Sequence, residues 1–301
     1  MFRHRITLMT AAVCVGAAIC CPSCCTKSAD YAAPESFIVD PATGIYYVSN
    51  VNWAKPETAE GVKPSREDNN GYITTLDKNL NVLKQKFVEG GRDGVKLNDP
   101  KGMVIVGNTL WVADLREVRA FDKTSGKNTA NVSLEDQGAV FLNDIAAGPD
   151  GIIYVSDTEK NKIFSINTKE GNAVEVLVEG KELNGPNGLY WDADQNLLYV
   201  ACWAGGAILT VNAEREIATF VSNPDKFAHL DGLDRDDAGN FYVSDYHKGI
   251  VYRITPELRI EIVVDKLSAP ADISLDRANN RLLIPLMTAN AITTHNLSKA
   301  E

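Results

Sequence analysis

One position recurs once per repeat along the chain, held in turn by Glu35, Lys101, Asn143, Asn187, Asp231 and Ala271. Each closes a short motif: Pro-Glu, Pro-Lys, Leu-Asn, Pro-Asn, Leu-Asp or Pro-Ala. About fourteen residues later a second apolar run ends, as YYVSN, LWVAD, IYVSD, LYVAC, FYVSD or LLIPL. The steps between the six positions are 66, 42, 44, 44 and 40 residues. Self-similarity at this period means repeated supersecondary units, none of which can bury its apolar face alone.

The inside of a unit reads as β structure. The turns GPDG, DADQN, DDAGN and DPATG place Gly or Asn where a hairpin needs positive φ. The strand after each turn alternates β-branched and aromatic residues with period two. A third strand follows (KIFSINTK, AILTVNAE, IVYRITPE, AITTHNLS), then a weaker fourth such as AVEVLVEG or IEIVVDKL. Four antiparallel strands per unit predict an all-β fold, a six-bladed β-propeller over residues 34–301. Its blades open at residues 34, 100, 142, 186, 230 and 270. The sixth lacks an obvious fourth strand, and residues 26–33 are the expected source of one, closing the ring.

Chain direction then sorts the loops. The ring positions share a face with the loops after the second strands, among them the long insertion between Asn50 and Asn70. That insertion reads as a lid or specificity loop, with Trp53 its residue nearest a ligand. The turn aspartates lie on the opposite face and read as turn residues. Asp114, Asp157 and Asp245, ending second strands, are expected to bond neighbouring loop backbones.

Composition narrows the partners. The chain has 301 residues and a formal net charge of −10, without the basic stripe a nucleic acid would need. Arg3 and Arg5, an apolar run over 6–19, then small residues and cysteines predict a signal peptide over 1–24 and a linker over 25–33. Ser23-Cys24 further suggests a lipoprotein. The expectation is an exported protein, periplasmic or an outer-membrane or surface lipoprotein of a bacterium, with membrane contact only through that anchor. Cys202 is the single cysteine of the domain, which excludes a disulfide within it.

On a closed ring, Glu35, Asn143, Asn187 and Asp231 would bring hard oxygen donors together on the axis. Two carboxylates and two amides suit Ca²⁺ first, then Mg²⁺ or Mn²⁺. No histidine or cysteine holds a ring position, so Zn²⁺ and copper fit less well. Lys101, the one ring residue of opposite charge, is a candidate for oxyanion or carboxylate binding. Trp53, Trp203, His229, Tyr246 and His247 join it as candidate substrate contacts. Asp272, beside Ala271, is a candidate to replace it on the ring.

The stretches PESFIVD, LNDIAAGPDG, PNGLYWD and LDGLDRDDAGN resemble those of the senescence-marker-protein/gluconolactonase/regucalcin-like family. The resemblance implies a six-bladed propeller with one divalent cation on its axis. Glu35, Asn187 and Asp231 then fall on the family's metal ligands, and Asn143 on an asparagine that serves the metal or its substrate. Three positions depart from the pattern. Phe141 stands where sugar-lactone members carry arginine, Ile145 where Gly is frequent, and Ser36-Phe37 where Gly-Pro follows the glutamate. The chain is also similar to NHL-repeat propellers and, more distantly, to paraoxonase-like lactonases. The expected function is a metal-dependent hydrolase of a small-molecule lactone or related ester, with Asp231 as general base and Lys101 assisting. The alternative is a non-catalytic propeller that binds a ligand or a protein.

Overall fold

The computed structural model describes residues 30–53 and 67–297. The leader over 1–24 with Cys24, linker residues 25–29, residues 54–66 of the insertion and the last four residues lie outside that range. Among the described residues there are six antiparallel sheets in sequence order, five of four strands and one of three. The chain is a six-bladed propeller, as the repeat predicts. The inner strands are Pro34–Val39, Pro100–Val106, Leu142–Ala147, Pro186–Asp192, Leu230–Arg235 and Ser274–Asp276.

The apolar cores lie between blades. Trp111 and Val118 of blade 2, for example, pack with Ile145, Val155 and Phe164 of blade 3. Alternating strands give each sheet two faces, and a propeller buries both against neighbours. On the face opposite the ring positions, ion pairs join neighbours: Lys123 with Asp40 at 2.9 Å, Arg235 with Asp192 at 2.5 Å, Arg277 with Asp234 at 2.8 Å. Asp40, Asp192 and Asp236 also accept hydrogen bonds from their own turn backbones, as expected of turn residues.

The inner strands share an irregularity that sets the site. Pairing with the second strand shifts between Pro34 and Phe37, Pro100 and Met103, Pro186 and Leu189, and Leu230 and Leu233. Blade 3 shifts opposite Val155–Asp157. Such a bulge inserts an extra residue and re-aims side chains. Here it contains the ring residue and its successor.

The recurring Ser of the YVS runs answers the bulge. Ser49, Ser156 and Ser244 Oγ accept the N–H of Ser36, Asp144 and Gly232 at 2.8, 2.9 and 2.8 Å. The hydroxyls of Ser156 and Ser244 then donate to Asn187 O and Ala271 O in the next blade. One serine thus satisfies the bulge and staples two ring positions together.

Glycine after a ring residue has a similar origin. A Cβ on Gly188 would lie 2.2 Å from Asp231 O, and one on Gly232 would lie 2.2 Å from Ile273 N. Only glycine lets the next inner strand approach so closely.

Blade 6 corrects one expectation. Among the described residues it has three strands, and residues 30–33 do not supply a fourth; residues 26–29 of the expected source lie outside the described range. Residues 30–33 run across the ring face instead. Val51 N donates to Ala33 O at 3.1 Å, Asn52 N to Ala32 O at 2.8 Å, and Ala33 N to Asn290 Oδ1 at 2.7 Å. The reason is reach. Four extended residues cover at most about 14 Å, roughly the distance from a first to a fourth strand, which leaves none to pair. The ring closes through inner strands: Asp272 N donates to Glu35 O at 2.9 Å and Ser274 Oγ to Phe37 O at 2.6 Å.

Candidate active site on the propeller axis

All six ring residues are buried, and in five of the blades the bulge turns the ring side chain toward the axis. Glu35, Lys101, Asn143, Asn187 and Asp231 line one cavity of about 840 Å³, and Ala271 does not reach it. Clamps below each loop fix their approach. Asp157 accepts from Val140 N and Phe141 N, Asp245 from Ala228 N and His229 N, and Asp114 from Asn98 N and Asp99 N. These three aspartates therefore hold loop backbones, as their position at the strand ends suggests. Cys202 holds the equivalent place in blade 4, and there Asn161 Oδ1 takes the Gly185 N–H at 2.6 Å. Burial pushes the Cys202 thiol up to about 12, so it is chemically quiet.

Four ring residues carry a buried polar atom with no partner among the described residues: Glu35 Oε2, Asn143 Oδ1, Asn187 Nδ2 and Asp231 Oδ1. Buried polar groups are ordinarily paired, and each unpaired one costs on the order of 1–3 kcal/mol. Their gathering in one cavity marks a place prepared for a ligand. Asn143 is oriented for the purpose. Its Nδ2 donates to Thr158 Oγ1 at 3.0 Å, and Thr158 donates to Pro186 O at 2.9 Å, which leaves Oδ1 for the cavity. Asn187 lies beside Asp231 and favours its ionised form, though outside hydrogen-bond geometry. Half a turn of its amide exchanges nitrogen for oxygen at the unpaired position.

Burial drives the electrostatics. Desolvation first, then repulsion from Asp231 and Asp272, holds Glu35 well above the usual carboxylate range. Desolvation, then Asp272, does the same to Asp231. Lys101 opposes both shifts. Its Nζ sits 4.2 Å above the centre of the Phe141 ring and 3.5 Å from Asp99 O, so it belongs to the cavity floor. Asp144 and Asp272 form a second buried acidic pair near the ring. Desolvation raises both, Asp144 to about 7. Asp144 accepts from Leu189 N at 2.7 Å and Asp272 from Ser36 Oγ at 2.5 Å. Asp272 is thus bound to blade 1 and does not line the cavity in place of Ala271.

Three of the expected aromatic contacts form the wall: Trp53, Trp203 and Tyr246 line the cavity, with His247. His229 does not. It packs on Trp203 and His247, with ring centres 4.9 and 4.0 Å away. Burial, then His247, pulls its pKa below the ordinary value.

Sequence reasoning passed over Thr158, Phe141 as a wall, and Met287. The only sign of Thr158 is a hydroxyl directly after the Ser-Asp of a second strand.

Among the described residues no three His, Cys, Asp or Glu side chains converge as a metal-binding group. The ring set differs in drawing half its donors from amides. Its fit to a cation rests on the orphaned oxygens of Glu35, Asn143 and Asp231, hard donors of the kind Ca²⁺ takes.

Comparison with known proteins agrees with this architecture. The profile of the SMP-30/Gluconolactonase/LRE-like region matches residues 69–274. No curated protein sequence matches. Similar solved structures include a catalytically inactive virginiamycin B lyase from Staphylococcus aureus with quinupristin. It aligns at TM-score 0.62 and 16% identity over 90% of this chain and 97% of that one. A streptogramin B lyase aligns at 0.60 and 13% identity, over 91% and 86%. A protein of unknown function from Bacteroides thetaiotaomicron aligns at 0.64 and 17% identity, over 89% and 70%. At these identities the likeness shows the fold.

Proposed function

The chain belongs to the SMP-30/gluconolactonase/LRE-like family, and we propose that it is a metal-dependent hydrolase of a lactone or related ester. The observation that carries this reading is the set of orphaned buried oxygens on Glu35, Asn143 and Asp231, with the Asn187 amide beside them. These four residues would hold one divalent cation, Ca²⁺ by donor type, with Mg²⁺ or Mn²⁺ as substitutes. When bound, such an ion would polarise a scissile carbonyl and acidify a water.

The chain's own groups supply the rest. Asp231 has a second carboxylate oxygen, which can take a proton from an attacking water as general base. Lys101 is buried on the same floor, where an ammonium stabilises an oxyanion far better than in bulk water. Thr158 holds the Asn143 carbonyl oxygen toward the cavity. Trp53, Phe141, Trp203 and Tyr246 line the site beside these groups.

Charge favours the same chemistry. With Glu35 and Asp231 ionised, a divalent cation would balance those two carboxylates, which leaves the Lys101 ammonium to favour an anionic transition state. The leader read over residues 1–24 would place this chemistry outside the cytoplasm.

The raised carboxyls give a pH signature. Folded Glu35, Asp144, Asp231 and Asp272 hold protons that the unfolded chain gives up around pH 4. Their stabilising contribution is complete below that pH and is lost as pH rises through the folded values, near 7 for Asp144. His229 works in the opposite sense, but as one group against five, because burial raises Asp234 as well. The Tm of chelator-treated protein should therefore fall from pH 5 to pH 8. Over the same window the increment from added Ca²⁺ should grow, because the ligands must be deprotonated. Scanning fluorimetry with and without EDTA checks both slopes, and parallel curves would speak against ring carboxyls as ligands.

The reaction is tested by proton release from a lactone panel, using chelator-stripped protein resupplied with Ca²⁺, Mg²⁺ or Mn²⁺. Turnover with metal and none in EDTA is the expected result. Metal-loaded protein that hydrolyses no lactone or ester would leave a binding propeller instead.

A further inference from the structure

We propose that this cavity takes a lactone or ester with a large apolar or aromatic body, and that it selects against polyhydroxylated sugar lactones. The inference rests on the hydrolase reading for the scissile group; the choice of body comes from the walls.

Five blades send a large apolar or aromatic side chain into the lining: Trp53, Phe141, Trp203, Tyr246 and Met287. Trp203 is held among rings, 5.5 Å from Tyr246 and 5.7 Å from His247 centre to centre. Packed this way it is a preorganised flat surface, which binds an apolar face at little ordering cost. Phe141 is fixed in turn beneath the Lys101 ammonium.

Part of the polar capacity of the opposite wall is already engaged. Thr158 serves Asn143 and Pro186 O. Asn161 Oδ1 accepts from Gly185 N, and Asn184 Nδ2 donates to Glu182 O. Glu159 and Lys181 stand exposed at the mouth, away from the buried floor. Among the described residues the hydroxyls of a sugar lactone would meet mainly apolar and aromatic wall, the polar groups being confined to the floor, the Asn161 and Asn184 amides and the exposed mouth, and each unpaired hydroxyl opposes binding. An apolar body instead displaces water from aromatic faces. The volume agrees, since about 840 Å³ falls among cavities that enclose drug-sized ligands.

The test uses non-hydrolysable lactams, so that binding is read apart from turnover. Quenching of tryptophan fluorescence in the Ca²⁺-supplemented protein reports occupancy beside Trp53 and Trp203. A phenyl-substituted δ-valerolactam should bind at least ~10-fold more tightly than the unsubstituted ring. Gluconolactam should bind no more tightly than the unsubstituted ring. Phe141→Arg should narrow the gap between the phenyl and gluconic ligands, with circular dichroism confirming that the variant folds. Gluconolactam binding as well as the phenyl lactam would overturn the proposal, as would no binding of either. Selective binding of the phenyl lactam, with its lactone left intact by metal-loaded protein, would uphold this pocket assignment and sink the hydrolase reading alone.

Discussion

Replacing Asp231 with asparagine is expected to lower kcat on any lactone substrate by roughly 10²–10⁴-fold, the usual worth of a positioned general base. The substitution keeps the shape of the side chain and removes its charge and proton-accepting oxygen. It should also remove most of the Ca²⁺-induced rise in Tm, because one of two ring carboxylates is gone. In EDTA at pH 8 the variant should be at least as stable as the parent. Asp231 repels Glu35 and is itself raised by Asp272, so its loss relieves strain among buried acids. This combination separates a functional role from a structural one. A variant that lost activity because it folded poorly would show a lower Tm in EDTA. Unchanged turnover would remove Asp231 from the chemistry.

The second large effect falls on stability. Asp114→Ala should cost about 3–5 kcal/mol, the range for breaking one side of a buried ion pair. Asp114 and Arg119 are almost wholly buried and bonded to one another. Arg119 would keep Glu117 at 3.0 Å and Asn131 at 3.2 Å but lose its closest anion. The N–H groups of Asn98 and Asp99 would lose their acceptor too, and those residues lead directly to Lys101. Urea unfolding should show a lower midpoint with an unchanged slope. Asp157→Ala and Asp245→Ala release the same loop backbones with no buried arginine left behind, so about 1–3 kcal/mol is expected for each. A double replacement, Asp114→Leu with Arg119→Met, should recover much of the loss, since apolar pairs often replace buried ion pairs at no cost. Equal penalties for all three aspartates would show that the guanidinium contributes nothing.

Much of this molecule is legible in its sequence because the fold repeats. Six copies of one motif at a steady spacing identify the blade, the ring position and the face on which loops meet. Glu35, Lys101, Asn143, Asn187 and Asp231 follow from that register alone, as does the grouping of Trp53, Trp203, Tyr246 and His247 on the same face. What the pattern hides depends on contacts between blades. Ser156 and Ser244 look like ordinary strand residues, and only the bulge and the adjoining blade give them a task. His229 lies two residues from Asp231, but the bulge that begins after Leu230 takes in Asp231 and not His229, and only Asp231 lines the cavity. Phe141 reads as a departure from a family pattern, and its role as floor for Lys101 and wall for a ligand needs the third dimension. Among the described residues blade 6 has no fourth strand, and residues 30–33 hold the ring-face loops after Asn50 instead.

The central claim is that the axis of this propeller holds one divalent cation through Glu35, Asn143, Asn187 and Asp231. The most direct test is a calorimetric titration of Ca²⁺, Mg²⁺ and Mn²⁺ into chelator-stripped protein at pH 8, repeated with Glu35→Gln and Asp231→Asn. One site per chain is expected for at least one of these ions, weakened at least ~10-fold by either substitution. No binding of any of the three, or binding that both substitutions leave untouched, would contradict it.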